Sequence, residues 1–183
     1  QVGSLPNSNW WEPEVRFSDC EFVGNAGGAL LVGNDAWVTA ERCRIVANTG
    51  TTVAQWGEFG LLRLVDSTLI GSSGGPAFVN TAEMQVVGCV ITGHDTAGAP
   101  LMSGGWDGTL GCLPPYTQVS NSILWDNAGV LPGSTAVESS CVQGGFAGTG
   151  NIGADPLFVR APSPGPDGSW GTQDDDLGDL RLA

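Results

Sequence analysis

The sequence predicts an all-β fold, a right-handed parallel β-helix (solenoid) of about five to seven coils, on three observations. A short residue pattern recurs at near-constant spacing, glycine and proline punctuate short apolar runs, and no stretch carries apolar residues at helical spacing. The pattern occurs in Cys20-Glu21-Phe22-Val23-Gly24-Asn25, Cys43-Arg44-Ile45-Val46-Ala47-Asn48, Ser67-Thr68-Leu69-Ile70-Gly71-Ser72, Cys89-Val90-Ile91-Thr92-Gly93-His94 and Ser122-Ile123-Leu124-Trp125-Asp126-Asn127. A small residue comes first, a large apolar residue third and a short polar residue last. The starts are 23, 24, 22 and 33 residues apart. That period suits one turn of a solenoid made of two or three short strands, with equivalent positions stacked about 4.8 Å apart.

Each element of the repeat has a place in such a coil. Phe22, Ile45, Leu69, Ile91 and Leu124 form an inward apolar column, beside a narrower one of Cys20, Cys43, Ser67, Cys89 and Ser122. Asn25, Asn48, Ser72, His94 and Asn127 fall where the chain turns, because Asn tolerates left-handed backbone and its amide bridges successive rungs. A leucine-rich horseshoe has a similar period, but the Gly-rich returns Gly27-Gly28 and Gly74-Gly75 offer no helix-forming run. The organisation expected is one domain over 1–183. An N-terminal extension or cap covers 1–16, an inserted loop 95–116 and an acidic segment 160–183.

Composition excludes several classes of function. The chain has 183 residues, 41% of them hydrophobic, enough for one continuous core. Six basic residues, all arginine, stand against 19 acidic ones, a net charge of −13 that repels nucleic acid and favours cations. No apolar run approaches membrane-spanning length. The chain opens on Gln1, as a processed secreted product or a trimmed chain does, which predicts a secreted or cell-surface location. Five cysteines without a CxxC pair, and one histidine, argue against a zinc site. Cys20 and Cys43 are expected as buried free thiols, whereas Cys112 and Cys141 are candidates for a disulfide that staples the insertion to the body.

Phe17-Ser18-Asp19-Cys20-Glu21-Phe22, Gly24-Asn25-Ala26-Gly27-Gly28-Ala29-Leu30, Asn121-Ser122-Ile123-Leu124-Trp125-Asp126-Asn127 and Asn151-Ile152-Gly153-Ala154-Asp155-Pro156-Leu157-Phe158-Val159 together resemble pectin-lyase-like right-handed β-helix proteins. The likeness is to the secreted repeat-bearing kind of planctomycetes and related environmental bacteria, and to polymorphic outer-membrane protein repeats. It implies a fold and leaves function open, because lyases, adhesins and structural proteins share this scaffold.

Three groups of residues are candidates for chemistry. Asp167, Asp174, Asp175 and Asp176 place hard oxygen ligands on one loop, as Ca²⁺ prefers, and the same residues also suit a solvated acidic loop. A polysaccharide lyase needs clustered carboxylates with a basic residue beside them, for which Glu41, Asp66 and Glu83 with Arg42, Arg44 and Arg63 are available. Trp106 in the insertion and Trp10 and Trp11 at the N-terminus are candidate contacts for a glycan, a protein or a second copy. Met102 belongs to the same insertion, which would fold back as a lid over the apolar column. The function expected is a non-catalytic extracellular structural or adhesive module, able to stack head to tail into a filament, with a carbohydrate-active β-helix as the alternative.

Overall fold

Two corners in each coil turn through a single left-handed residue, and they set the geometry of everything between them. The computed structural model describes residues 14–33, 36–57, 60–99, 101–104, 116–129 and 131–183. The first turn comprises β1 (Glu14–Ser18), β2 (Glu21–Val23) and β3 (Leu30–Val32), and the second β4 (Trp37–Glu41), β5 (Arg44–Val46) and β6 (Val53–Gln55). The third holds β7 (Leu61–Val65), β8 (Thr68–Ile70) and β9 (Phe78–Asn80), and the fourth β10 (Glu83–Val87), β11 (Val90–Thr92) and β12 (Met102–Ser103). Two shorter rungs follow, β13 (Tyr116–Ser120) with β14 (Ile123–Trp125), and β15 (Ala136–Glu138) with β16 (Cys141–Val142). The chain closes with β17 (Phe158–Arg160) and β18 (Asp179–Leu182). No helix occurs among the described residues.

Equivalent strands of successive turns pair in parallel. A first sheet runs β1-β4-β7-β10-β13-β15, a second β2-β5-β8-β11-β14-β16 and a third β3-β6-β9-β12. The result is an all-β solenoid of about four complete turns. Phe22, Ile45, Leu69, Ile91, Leu124 and Val142 stand in register along the second sheet, the predicted column with one further rung. Opposite it, the first sheet sends Phe17, Ala40, Leu64, Val86, Val119 and Val137 inward. The third contributes Leu30, Val53, Phe78 and Met102. Together these side chains form one continuous apolar core.

The first corner uses Asp19, Arg42, Asp66, Gly88, Asn121 and Ser139, all with φ between 46° and 67°. The next residue is the small one of the repeat, and the structure gives its reason. The Ser67, Ser122 and Ser140 hydroxyls donate to carbonyls two residues back, at 2.7, 2.8 and 2.8 Å, and the Cys20, Cys43 and Cys89 thiols do the same at 3.3 to 3.4 Å. The serine oxygens also accept the N–H of the neighbouring rung, Cys43 to Ser67 at 3.0 Å and Cys89 to Ser122 at 3.1 Å. A compact inward donor satisfies a carbonyl that the turn would otherwise strand.

The second corner corrects one expectation by a single residue. The left-handed positions are Gly24, Ala47, Gly71, Gly93 and Asp126, not the polar residues that follow them. The bridging role of the polar column is as expected. Asn48 Oδ1 accepts from the Asn25 backbone N–H at 2.9 Å, while its Nδ2 donates to the Phe22 and Val46 carbonyls, both at 3.0 Å.

The insertion sits later than expected. Asp95 still bridges to Ser73, and β12 continues the third sheet, with Met102 buried in the core and not in a lid. The extra residues follow Ser103 and mostly lie outside the described residues.

The C-terminal end is not an open strand edge. Residues 144–152 fold across the last rung. Ser139 N–H donates to the Thr149 carbonyl at 2.8 Å, Ile152 N–H to Ser140 at 2.9 Å, and Val142 N–H to Ile152 at 2.9 Å. Asn151 takes the next ladder position, accepting from Ser140 N–H at 3.0 Å and donating to the Val137 carbonyl at 2.9 Å. Phe146 packs on the core beside them. β18 pairs antiparallel with β17. Part of the edge that a head-to-tail neighbour would use at this end is therefore already occupied from within the chain.

Candidate functional surfaces

The acidic C-terminal segment folds back as a strap over the outer face of the second sheet. That face carries Val46, Ala47 and Ile70, which the strap buries under Trp170, Leu177 and Leu180 in a cluster of its own. Trp170 rests on two stacked glycines of the second corner. A Cβ at Gly71 would lie 2.1 Å from the indole Cδ2, and one at Gly93 2.8 Å from Cζ2. Ala47 and Asp126 adopt the same left-handed conformation in this column, so the corner itself tolerates side chains. The indole is what requires glycine at 71 and 93. Nothing in the repeat pattern signals this contact.

The strap also decides where the candidate calcium ligands go. Asp167 Oδ1 accepts from Ser169 N–H at 2.8 Å, and Asp174 from Thr172 Oγ1 at 2.5 Å and Asp167 N–H at 3.3 Å. Asp175 Oδ2 accepts from Gly171 N–H at 2.7 Å and Thr172 N–H at 3.2 Å. Asp176 is held by Arg160 at 2.7 Å and by Gly178 N–H at 2.9 Å, which together keep its carboxyl below the usual range. Each carboxylate thus caps its own turn or pairs with arginine. Among the described residues, no three His, Cys, Asp or Glu side chains gather as a metal-holding group. Asp175 Oδ1 alone is buried without a donor in this loop, one oxygen where a calcium shell takes six to eight. Millimolar Ca²⁺ or chelator should leave the melting temperature unchanged. A chelator-induced drop that Ca²⁺ restores would show the loop rearranging around an ion.

The candidate lyase residues are dispersed in a similar way. Arg42 forms a bidentate pair with Asp19, 2.8 Å on each arm, and also contacts Glu41, which Arg16 holds from the other side. Arg16 is the larger cause of the lowered Glu41 carboxyl, and Arg42 lowers Asp19. Arg44 pairs with Glu21 at 2.5 Å. Glu83 accepts from Gln85 at 2.8 Å. Glu41 ends β4 whereas Glu83 begins β10, so the two lie at opposite ends of the first sheet. Arg63 points outward from mid-strand between Thr39 and Gln85, and Asp66 forms the first corner of its turn. Among the described residues, no carboxylate cluster stands beside an arginine that is free of one.

Comparison with protein-family models, curated proteins and solved structures gives no match.

The outer surface of the solenoid does expose aromatic side chains. Trp37 and Tyr116 begin strands of the first sheet and Trp56 follows β6, each 44 to 48% exposed. Sequence reasoning missed all three, because an outward aromatic within a repeat looks no different from a core one. Trp10, Trp11, Trp106 and Cys112 lie outside the described residues, and with Cys112 so does the Cys112–Cys141 pairing. The Cys141 thiol donates to the Ala154 carbonyl at 3.1 Å. Cys43 is a buried free thiol, as expected, whereas Cys20 is free but only half-buried; Cys89 is also a buried free thiol, whose pKa burial pushes up to about 12. Among the described residues, no helix is long and apolar enough to cross a membrane.

Proposed function

We propose that the chain is a non-catalytic adhesive or structural module of the pectin-lyase-like β-helix kind, acting outside the cell or on its surface. The observation that carries this reading is the outer face itself. Exposed Trp37, Trp56 and Tyr116 offer flat apolar surface for a glycan or protein partner, while Arg42 and Arg44, two of the three bases a lyase would use, are already paired with carboxylates, and among the described residues no carboxylate cluster stands beside Arg63. A head-to-tail filament of such modules would have to form around Phe146 and Asn151, which cover part of the last rung.

The test is to incubate the chain with acidic and neutral insoluble polysaccharides. Absorbance of unsaturated uronate product reports lyase turnover, and co-sedimentation reports binding. Retention that falls when Trp37 or Tyr116 becomes alanine, with no product formed, is the expected result. Sustained product formation above the protein-free rate would overturn the non-catalytic reading.

A further inference from the structure

The polar column at the second corner has two adjacent rungs without a bridge. At Asn48 and Asn127 the side-chain amide joins two turns, Asn127 accepting from His94 N–H at 3.2 Å and donating to the Ile91 carbonyl at 2.9 Å. His94 stands in the equivalent place beside the Leu69 carbonyl, yet neither ring nitrogen finds a partner of normal hydrogen-bond geometry. The Ser72 hydroxyl of the neighbouring rung is likewise unpartnered. Both side chains are only 2% exposed. The outer side of this corner is Gly71 and Gly93, with Trp170 of the strap lying over them.

We propose that His94 and Trp170 form an acid-released clasp, in which protonation of the buried imidazole opens the corner and frees the hairpin 157–183 from the second sheet while the solenoid stays folded. Among the described residues, no carboxylate is hydrogen-bonded to the ring. Asp95 on the same turn and Asp126 on the next are both exposed, the preceding turn offers only Ser72 and Ser73, and in the strap Asp167, Asp174 and Oδ2 of Asp175 are tied to donors of their own loop, which leaves Asp175 Oδ1 as its one unpartnered buried carboxylate oxygen. Burial dominates the ring's environment, with the Leu69 carbonyl opposing it in part, and lowers its pKa to about 4. Gly93, directly before His94, and Gly71 carry no side chain on the face that the indole covers. The strap is also the unit that opens at least cost, since it is held by its own small apolar cluster and not by the core.

The direction follows from linkage. Histidine in the open form titrates near 6.5, so the closed form binds fewer protons between that pH and about 4. Closure is fully favoured above 6.5 and weakens as pH falls toward 4. Asp176 and Asp179 have lowered pKa values, Asp179 to about 2, so the Arg160–Asp176 and Arg181–Asp179 pairs survive this window and the hairpin leaves as a unit.

Hydrogen exchange of the full chain, read by mass spectrometry and corrected for intrinsic pH dependence, tests the clasp. Between pH 7 and 4.5 the opening constant of strap peptides should rise roughly fiftyfold, with β7 and β10 still protected. His94→Asn places the residue of positions 48 and 127 into the column and should abolish the rise. His94→Ser, the residue of the preceding turn, serves if the first variant does not fold. A strap that stays protected at pH 4.5, a variant that opens as the parent does, or a core that opens together with the strap would each overturn the proposal.

Discussion

Cutting Leu69 back to alanine should lower the stability of the chain by about 2–5 kcal/mol, the range for burying a cavity in a close-packed core. Leu69 is fully buried, with Ile45 on the rung to one side and Ile91 on the rung to the other. Neither neighbour can move into the gap without leaving its own hydrogen-bonded register. Denaturant unfolding of the variant measures the loss through its midpoint. The same truncation at Val23, 53% exposed on the opposite face of its strand, should change stability by less than about 0.5 kcal/mol. A loss below about 1 kcal/mol at Leu69 would mean that the column is not packed as a stack.

Gly71→Ala should cost about 1–3 kcal/mol, mostly through the strap. The new methyl would meet the Trp170 ring at 2.1 Å, far inside van der Waals contact, so the indole must leave its seat or the corner must shift. Ala47 accepts the same left-handed backbone one rung away, which identifies the ring as the larger source of strain. A double-mutant cycle separates the two. In a Trp170→Ala background the Gly71→Ala cost should fall to the backbone contribution alone, about 1 kcal/mol. An unchanged cost in that background would place the strain in the corner and leave Trp170 without the role assigned to its seat.

What could be read from the sequence was whatever the stacking repeats. The column from Phe22 to Leu124 was legible because parallel pairing forces one residue type to the same offset in every coil. The third sheet was less so. Leu30-Leu31-Val32, Val53-Ala54-Gln55, Phe78-Val79-Asn80 and Met102-Ser103 share no motif and begin at different distances from the repeat. Its fourth strand was taken for part of an insertion for that reason. The polar corner column bridges turns at Asn48 and Asn127 as expected, but the left-handed position lies one residue earlier, where Gly24, Gly71 and Gly93 mark it in three turns and Ala47 and Asp126 obscure it in two.

The strap was the least legible feature. Residues 160–183 offer carboxylates, glycines and one tryptophan, a composition that suits an exposed loop as well as a docked hairpin. What fixes the hairpin is Trp170 on Gly71 and Gly93, a contact across about half the chain that no local pattern encodes. The candidate calcium ligands show the same limit of a local pattern. Adjacency of Asp174, Asp175 and Asp176 in sequence does not place their oxygens around one point, and each finds a different donor.

The three corners differ in how much chain they hold. The first always contains two residues, Asp19-Cys20 through Ser139-Ser140, because one must turn left-handed and the next must point its small donor inward. The third runs from the two residues Thr81-Ala82 to the whole stretch between Ser103 and Tyr116, and the rungs on either side keep their register. Length is thus rigidly metered on one edge and free on another. A lineage carrying this scaffold can lengthen, shorten or exchange surface loops along the third edge without renegotiating the core, so novelty on such a protein is expected to accumulate as a single seam.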